Sequence, residues 1–380
     1  MGNYILLLAM NEKTQKYKKE NYKDFGAQPD LLEIKLGCNL ISLAEEEEDK
    51  RSPLLEEIIW LRNQLDDELG LVLPMVRVRD SIFLKPDEYS LFLNGTEVAK
   101  SSVKIGYYLC MDTGSVSNPL DNMKWEKTKD PAFEMDGFII PENEVKKAKE
   151  AGYVCASPEK MIRVHFYEVI RKNITRILNQ SLVNELVEKV RKINPDVITD
   201  VFFTQRFSIS KMKILLNRLL EERVSIRDMN TILETIADYL VEEQKPLLLA
   251  EKVRERLAPG FIKEYEDENN IIHVFRLSQS FSEYLADHVY YPESKVDKPY
   301  LAIDPSDRKR LYESINKCAS LAAEQDFPIV FVCVSTNRAL FSDYVREVYP
   351  SAHVISDMEL CPIKDDLNIT VEKEVDFEDK

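Results

Sequence analysis

The side chains that could carry acid–base, nucleophilic or metal chemistry are few and scattered in this sequence. Its histidines and cysteines share no helical or C-x-x-C zinc spacing, and they are His165, His273, His288, His353, Cys38, Cys110, Cys155, Cys318, Cys333 and Cys361. The sequence has no phosphate-binding loop and no nucleophile elbow, and its 10 glycines leave little material for either. We therefore expect no catalytic residue, no metal and no cofactor, and we interpret His165 as structural.

Two basic residues on a predicted strand, Arg77 and Arg79, could recognise an acidic group. Because they are two positions apart, their guanidinium groups should lie on the same face of the strand. Two cations on one face require acidic partners, and we expect Asp80 or the acidic helix before the strand to provide them. A structural ion-pair network that holds strand to helix is favoured over direct ligand binding.

The segment Asp130-Pro131-Ala132-Phe133 could present an aromatic ring to a partner protein. An Asp-Pro turn leads directly to Phe133, in a loop-rich stretch near Trp125. Aromatic residues on loops are typical anchors in protein–protein interfaces. A ring that fills the local core fits the same residues, so the sequence leaves both interpretations open.

Strands and helices must position these segments in the first half of the chain. Residues 31–36 alternate between apolar and polar side chains, which predicts a strand. Ser52-Pro53 predicts the start of an amphipathic helix that ends at Gly70. A second strand is expected over residues 71–78, followed by a turn at residues 85–88.

The second half of the chain changes from helical to mixed patterning. Four amphipathic helices should begin at serine residues, namely Ser157, Ser181, Ser208 and Ser225. Residues 271–277 and 353–355 predict strands, and the apolar run over residues 329–334 predicts a strand covered on both faces. This alternation indicates a small α/β layer. The charged tail from Lys364 onwards is expected to be frayed.

Composition limits the class of protein to an acidic, globular one. The length of 380 residues suggests roughly two to four compact units, and the apolar fraction of 44% argues against global disorder. A formal net charge of −16 argues against nucleic acid as a partner. Scattered cysteines suit a reducing cytoplasm. The apolar run Tyr4–Met10 is too short to span a membrane, and it fits either the end of a spanning helix or an ordinary apolar start.

Three ordered motifs resemble the cytoplasmic part of the type III export-gate family, the FlhA/InvA-like proteins of flagellar and virulence secretion. The first extends from Leu54 to Val98 and includes the segment Pro74–Asp80. The second extends from Gly152 to His165, and the third from Val224 to Glu234. The resemblance covers Asp30 to Pro362 in consistent order, and the flagellar branch is favoured.

The resemblance implies a docking platform and not an enzyme. Such a domain lies at the cytoplasmic face of the bacterial inner membrane, as the soluble part of a membrane protein, and forms a nonameric ring. It receives export chaperone–substrate complexes and helps to order their export. Its further partners would be components of the export ATPase complex and other export-gate membrane proteins. The proton motive force and a separate ATPase supply the energy, so neither a catalytic site nor a cofactor is expected.

The resemblance also implies an α+β fold of several subdomains. The expected division is a membrane-proximal linker (1–29), a mixed α/β first subdomain (30–104 and 153–177), a small inserted α/β subdomain (105–152), a helical subdomain (178–253), a C-terminal α/β subdomain (254–362) and an acidic tail (363–380).

The same resemblance assigns partner binding to three residues. The flagellar branch carries Asp-Pro-Ala-Phe in a pocket that binds export chaperones, which implies this role for Asp130 and Phe133. A third pocket position, a threonine in the family, is Val164 here, immediately before His165. Because this hydroxyl is missing, the identity of the chaperone and the virulence injectisome branch stay open. An alternative from another class is a hydrolase or transferase in the C-terminal α/β unit, with phosphate or metal at the strand ends after Val334.

Overall fold

The computed structural model describes residues 29–45, 51–114, 116, 125–290 and 299–376. The chain divides into two compact units, Met1–Asn179 and Gln180–Lys380, and each mixes helices with strands. The predicted α+β class is therefore confirmed, whereas the finer subdomain boundaries stay a prediction. The predicted membrane-proximal linker (1–29) lies outside the described residues, except for Pro29. Within the described ranges, no helix is long and apolar enough to cross a membrane.

The first unit contains two four-stranded sheets and the helices that pack on them. Its elements in chain order are β1 (Leu32–Leu36), α1 (Pro53–Leu69), β2 (Val76–Asp80), β3 (Glu88–Leu93), β4 (Thr96–Ser102), β5 (Tyr107–Met111), β6 (Glu126–Lys129), β7 (Asp136–Pro141), α2 (Val145–Glu150), β8 (Val154–Ala156), α3 (Pro158–Lys172) and α4 (Ile174–Ile177).

The first sheet has the strand order β2-β1-β3-β4, with β1 parallel to β2 and antiparallel to β3. Helix α1 begins and ends as predicted, since the Ser52 hydroxyl accepts a hydrogen bond from the Leu55 amide at 3.1 Å and Gly70 adopts a φ of 68°. Strand β2 is shorter than the predicted 71–78. Because β1 begins at Leu32, opposite Val76, the residues before Val76 have no ladder partner.

Strand β4 was not predicted, although the sequence contains a signal for it. Asn94 and Gly95 connect β3 to β4 with φ values of 49° and 74°, the conformation that favours Asn-Gly in two-residue hairpin turns. The strand itself is polar along most of its length, as suits a sheet edge. Because the strand lacks alternating apolar residues, that pattern does not predict it.

The second sheet has the strand order β6-β7-β5-β8 and is antiparallel throughout. Cys110 on β5 lies directly opposite Cys155 on β8, and the two form a disulfide with a Cα–Cα distance of 4.2 Å. The scattered cysteines, which suited a reducing cytoplasm, did not predict this pair, and 45 positions separate its two members along the chain. After the intervening strands β6 and β7, the chain comes back so that β8 pairs with β5. This pairing brings the two cysteines together. Trp125 and Tyr153 pack edge to face in the adjoining core.

The second unit begins with helices and ends with a parallel sheet. Its elements are α5 (Gln180–Arg191), α6 (Pro195–Ile198), α7 (Ile209–Glu221), α8 (Met229–Tyr239), α9 (Pro246–Phe261), β9 (Ile271–Leu277), α10 (Gln279–Asp287), β10 (Val289–Tyr290), β11 (Tyr300–Leu301), α11 (Pro305–Gln325), β12 (Val330–Cys333), α12 (Ser335–Val348), β13 (His353–Ser356), α13 (Asp357–Leu360) and β14 (Asn368–Val375).

The parallel sheet has the strand order β13-β12-β9-β14. All four residues of β12 are buried, which confirms the prediction of a strand covered on both faces. Phe275, Phe331 and Phe341 form the aromatic centre of the surrounding core.

The expectation of a frayed tail from Lys364 onwards is wrong across residues 368–375, which form β14. This strand is rich in charge, yet its backbone pairs with β9 from Asn368 opposite Ile271 to Val375 opposite Leu277. Strand β9 would otherwise present unpaired amides and carbonyls at the sheet edge, so a polar strand can dock there through its backbone. Val375 is fully buried at its end.

A histidine joins the edge strand β14 to its neighbour β9. His273 Nδ1 lies 2.7 Å from Glu372 Oε1 on β14, and its Nε2 lies 3.2 Å from Asp267 Oδ2. The ladder between β14 and β9 shifts register between Val371 and Lys373, so Glu372 occupies the irregular position facing the histidine. Burial lowers the pKa of His273, but the two hydrogen-bonded carboxylates raise it by more, and the net shift is upward.

We expect His273→Gln to destabilise the protein more at pH 5.5 than at pH 8.5. Because the folded-state pKa of His273 is raised, the imidazolium contributes fully below the unfolded pKa of roughly 6.5, and this contribution is lost as the pH rises through the folded value. The difference in the free energy of unfolding should be about 1 kcal/mol, measured by urea denaturation at both pH values. An equal loss at the two pH values would contradict this assignment.

A fully buried ionic cluster connects the helices of the second unit to its sheet. Glu222, at the end of α7, lies 2.7 Å from Arg218, 2.7 Å from Arg254 on α9 and 2.5 Å from Arg338 on α12. Arg254 also pairs with Glu359 on α13 at 2.8 Å. Burial raises the pKa of Glu222, but the three guanidinium groups lower it well below its usual range. The carboxylate is therefore ionised and compensated in the interior.

Removal of one cation from this cluster should be strongly destabilising. Arg338→Leu leaves buried Glu222 without one of its partners, which should lower the free energy of unfolding by about 3–5 kcal/mol. The matched control is Arg256→Leu, whose pair with Asp238 at 3.4 Å is exposed and should change stability by less than about 0.5 kcal/mol. Similar losses in urea denaturation of the two variants would show that the buried cluster does not hold these layers together.

Candidate functional site

The turn that follows β6 is held by its own aspartate. Asp130 Oδ2 accepts hydrogen bonds from the Phe133 amide at 2.8 Å and from the Ala132 amide at 3.2 Å. The backbone closes the turn as well, because the Asp130 amide donates to the Met135 carbonyl at 2.8 Å and the Glu134 amide donates to the Asp130 carbonyl at 2.9 Å. These four bonds fix the backbone around Phe133.

The structure resolves the two interpretations that the sequence left open for Phe133. Asp130 is 4% exposed and Ala132 is 6% exposed, whereas Phe133 is 53% exposed. The aspartate and the alanine therefore fill the local core, and the aromatic ring projects outward. A partly exposed ring on a hydrogen-bonded turn is suited to contact with another protein.

A buried tyrosine–histidine pair lies near the Asp130 carboxylate. Tyr89 Oη on β3 is 2.8 Å from His165 Nδ1 on α3, and the two rings meet edge to face with centroids 5.7 Å apart. Burial lowers the pKa of His165 and raises that of Tyr89. The charge of Asp130 acts on both side chains and raises the pKa of each. Both Tyr89 and His165 are thus neutral at physiological pH, and the hydrogen bond joins the first sheet to α3.

Of the three residues to which the resemblance assigned partner binding, Asp130 lies close enough to this pair to act on it. Asp130 acts electrostatically on His165, and Phe133 belongs to the turn that Asp130 holds. Val164 precedes His165 on α3 and is half-buried. Its other neighbour, Arg163, pairs with Glu57 on α1 at 2.9 Å and fixes the helix from that side. Tyr89 could not be predicted as the partner of His165, because the two lie 76 positions apart along the chain.

Arg77 and Arg79 form the predicted structural ion pairs, but with different partners. Arg77 Nε lies 3.2 Å from Asp30 Oδ2, and Arg79 Nη2 lies 3.0 Å from the same oxygen. Arg79 Nε also lies 3.3 Å from Glu33 Oε1. The prediction that Asp80 or α1 supplies the acidic partner is therefore corrected, because parallel pairing sets β1, with Glu33 on it and Asp30 just before it, beside β2. The network joins strand to strand.

The alternative of phosphate or metal binding after Val334 meets a specific obstacle. The Ser335 amide, the first N–H group of α12, donates to the Asp357 carboxylate at 2.9 Å. A phosphate at this strand end would have to displace a like-charged group. Across the described parts of the chain, no group of three or more His, Cys, Asp and Glu side chains is arranged to hold a metal ion.

Comparison with known proteins relates most of the chain to flagellar biosynthesis proteins. A family model described as the FHIPEP family matches residues 8–364. The flagellar biosynthesis protein FlhA of Treponema pallidum is 30% identical over 339 residues, which cover 87% of this chain and 47% of that protein. The chain thus spans about half the length of the curated relatives that it matches.

Solved structures share the fold. The Chlamydia pneumoniae CdsV protein has a TM-score of 0.79 at 20% identity, over 94% of this chain and 100% of that chain. A nonameric SctV-C from EPEC has a TM-score of 0.71 at 18% identity, over 93% of this chain and 100% of that chain. At these identities the likeness concerns the fold, and it agrees with the predicted α+β architecture of several subdomains.

The Tyr89–His165 bond should contribute measurably to the stability of the first unit. Tyr89→Phe leaves a buried ring nitrogen without its partner, so the free energy of unfolding should fall by about 1–3 kcal/mol in urea denaturation. The matched control is Tyr107→Phe on β5, whose partly exposed hydroxyl can be replaced at a cost below about 0.5 kcal/mol. Equal effects of the two substitutions would contradict the role of the pair.

Proposed function

The chain belongs to the FHIPEP family, and from this premise we propose that it is the docking platform of a flagellar type III protein export gate. In this role it lies at the cytoplasmic face of the bacterial inner membrane, receives export chaperone–substrate complexes and helps to order their export. The match to a flagellar FlhA at 30% identity supports the flagellar branch over the virulence branch, whose CdsV structure is 20% identical.

We also propose that the platform works as a homo-oligomeric ring. The support is the fold shared with the EPEC SctV-C, which is described as nonameric. Within the ring, the other partners would be components of the export ATPase complex and the membrane proteins of the export gate. In this proposal the chain performs no catalysis, because the energy for export is supplied elsewhere in the apparatus.

The observation that carries the docking proposal is the exposed ring of Phe133 on a turn held by Asp130. The backbone bonds of this turn are already formed in the free protein. A partner that covers the ring therefore gains apolar contact without ordering a flexible loop, and preorganisation of this kind favours affinity. Aromatic side chains, phenylalanine among them, are also enriched at protein–protein interfaces.

We expect Phe133→Ala to weaken binding of the cognate flagellar export chaperones by about 2 kcal/mol, or roughly 30-fold in Kd. The cause is the loss of the exposed ring, since the turn itself is held by Asp130 and by the backbone. Isothermal titration calorimetry with each purified chaperone measures the effect.

The matched control is Tyr300→Ala, which removes an aromatic ring of equal exposure, 53%, in the other unit. It should leave every chaperone affinity within about twofold of that of the unmodified chain. Unfolding midpoints should confirm that both variants are folded. Unchanged affinity of Phe133→Ala for all cognate chaperones would remove this turn as the docking site.

A further inference from the structure

The bonded cysteines of the second sheet are held together by the backbone as well as by their sulfur atoms. Cys110 on β5 and Cys155 on β8 are direct cross-strand partners, and the neighbouring positions on either side of them are paired in the same antiparallel ladder. Directly opposed side chains of such a ladder stay in contact through the strand pairing itself. The two thiols of the reduced chain would therefore remain adjacent, and the bond can open and close again in the folded protein.

The two sulfur atoms differ in their access to solvent. Cys110 is fully buried in the core that also contains Tyr153, and Trp125 and Phe138 pack against this core. Cys155 lies at the margin of the same core and is half-buried. Thiol–disulfide exchange requires an attacking thiolate to reach one sulfur of the bond. A small thiol from solution can approach Cys155, whereas the core shields Cys110.

The remaining cysteines of the chain offer no comparable pair. Cys38 and Cys361 are exposed and free, and Cys318 and Cys333 are free and buried in the second unit. Burial raises the pKa of Cys318 to about 11 and also raises the pKa of Cys333, so neither forms much thiolate at neutral pH. Exchange chemistry with a built-in second thiol is therefore confined to the bonded pair.

The compartment decides how this bond is to be understood. In the proposed function the chain lies at the cytoplasmic face of the membrane, where cellular thiols keep most cysteines reduced. Disulfides of cytoplasmic proteins are usually transient, and they serve either catalysis or redox sensing. Because the proposed function involves no catalysis, redox sensing is the role that fits this pair.

We propose that Cys110 and Cys155 form a reversible redox site, which exchanges with small thiols through Cys155 and regulates the turn of residues 130–135. The cytoplasmic setting and the regulated surface both rest on the proposed function. The oxidised form holds the turn for docking, and the reduced form holds it less firmly.

Oxidation of the pair needs a low-molecular-weight disulfide, such as oxidised glutathione, as the electron acceptor. The Cys155 thiolate attacks one sulfur of this molecule, forms a mixed disulfide and releases the first small thiolate, which takes up a proton. The Cys110 thiolate then attacks the Cys155 sulfur and releases the second small thiolate, which is protonated in turn. Two electrons pass from the protein to the small disulfide, and excess small thiol reverses both steps.

The bond encloses the proposed docking turn in a covalent loop. The 45 positions between Cys110 and Cys155 include residues 130–135, and β8, which ends this loop, has only three residues. On its other side β5 pairs with β7, where Phe138 lies opposite Cys110 just after the turn. Reduction leaves β8 to its short ladder and opens the loop, which increases the freedom of the segment that carries Phe133. The turn keeps its own hydrogen bonds, so the effect on docking should be graded.

A glutathione titration of the purified chain tests the redox site. Samples are equilibrated at pH 7.5 with mixtures from fully reduced to fully oxidised glutathione, alkylated, and mapped by peptide mass spectrometry. We expect one transition in which Cys110 and Cys155 lose their thiols together, while buried Cys318 stays a free thiol throughout. A bond that survives excess reduced glutathione, or a pair that stays reduced in oxidised glutathione, overturns the proposal.

Two variants test the point of entry. Cys110→Ser removes the second thiol and should accumulate glutathione on Cys155, whereas Cys155→Ser should leave Cys110 modified roughly tenfold more slowly or not at all. Faster modification of Cys110 overturns entry through Cys155. The titration of the unmodified chain stands whether or not either variant folds.

Comparison of the oxidised and reduced chain tests the regulation. Hydrogen–deuterium exchange at residues 154–156 should be roughly tenfold faster in the reduced chain. Calorimetry should give about threefold weaker binding of the cognate export chaperones, because the docking segment is less preorganised. Cys155→Ser is the matched control, and it should bind like the reduced chain under both conditions. Equal exchange and equal affinity of the two forms overturn the regulation.

The outcomes separate this inference from the proposed function. Weaker chaperone binding by Phe133→Ala, with no effect of the redox state, keeps the docking turn and overturns its regulation. No effect of Phe133→Ala removes the docking turn, and the glutathione titration then still decides whether the pair is a redox site.

Discussion

The buried carboxylate of Asp130 connects the fold of the first unit to its proposed binding surface. It holds the amides of Ala132 and Phe133, and its charge acts on the Tyr89–His165 pair below. If this carboxylate were lost, two backbone amides would lose their acceptor and the ring of Phe133 would no longer have a fixed direction. The docking surface therefore depends on a hydrogen-bonded turn more than on any apolar cavity.

Ionic contacts of two kinds stabilise a chain whose net charge is −16. Glu222 is compensated in the interior by Arg218, Arg254 and Arg338, and this cluster joins α7, α9 and α12. His273 lies beside the edge strand β14, where two hydrogen-bonded carboxylates raise its pKa. His165 has the opposite shift, because burial keeps it neutral. The two histidines thus respond to acid in opposite directions.

Local signals explain which parts of the fold could be predicted from the sequence. Some signals lie within a few residues of the element that they specify, and the structure confirms them. They are the helix cap at Ser52, the helix end at Gly70 and the apolar run of β12. Contacts between distant residues were missed or misassigned, as with Asp30 for Arg77 and Cys155 for Cys110.

Polar edge strands were hidden for a different reason, since β4 and β14 are held mainly by backbone pairing and carry little apolar pattern. At the candidate site, the turn was predictable from Asp130-Pro131, whereas the exposure of Phe133 depended on the packing of the whole insertion. Hydrogen–deuterium exchange of the chain, with and without a cognate chaperone–substrate complex, tests the central claim most directly. Our account predicts that the largest added protection falls on the amides of Asp130 and of residues 132–135. Added protection confined to the second unit would contradict it.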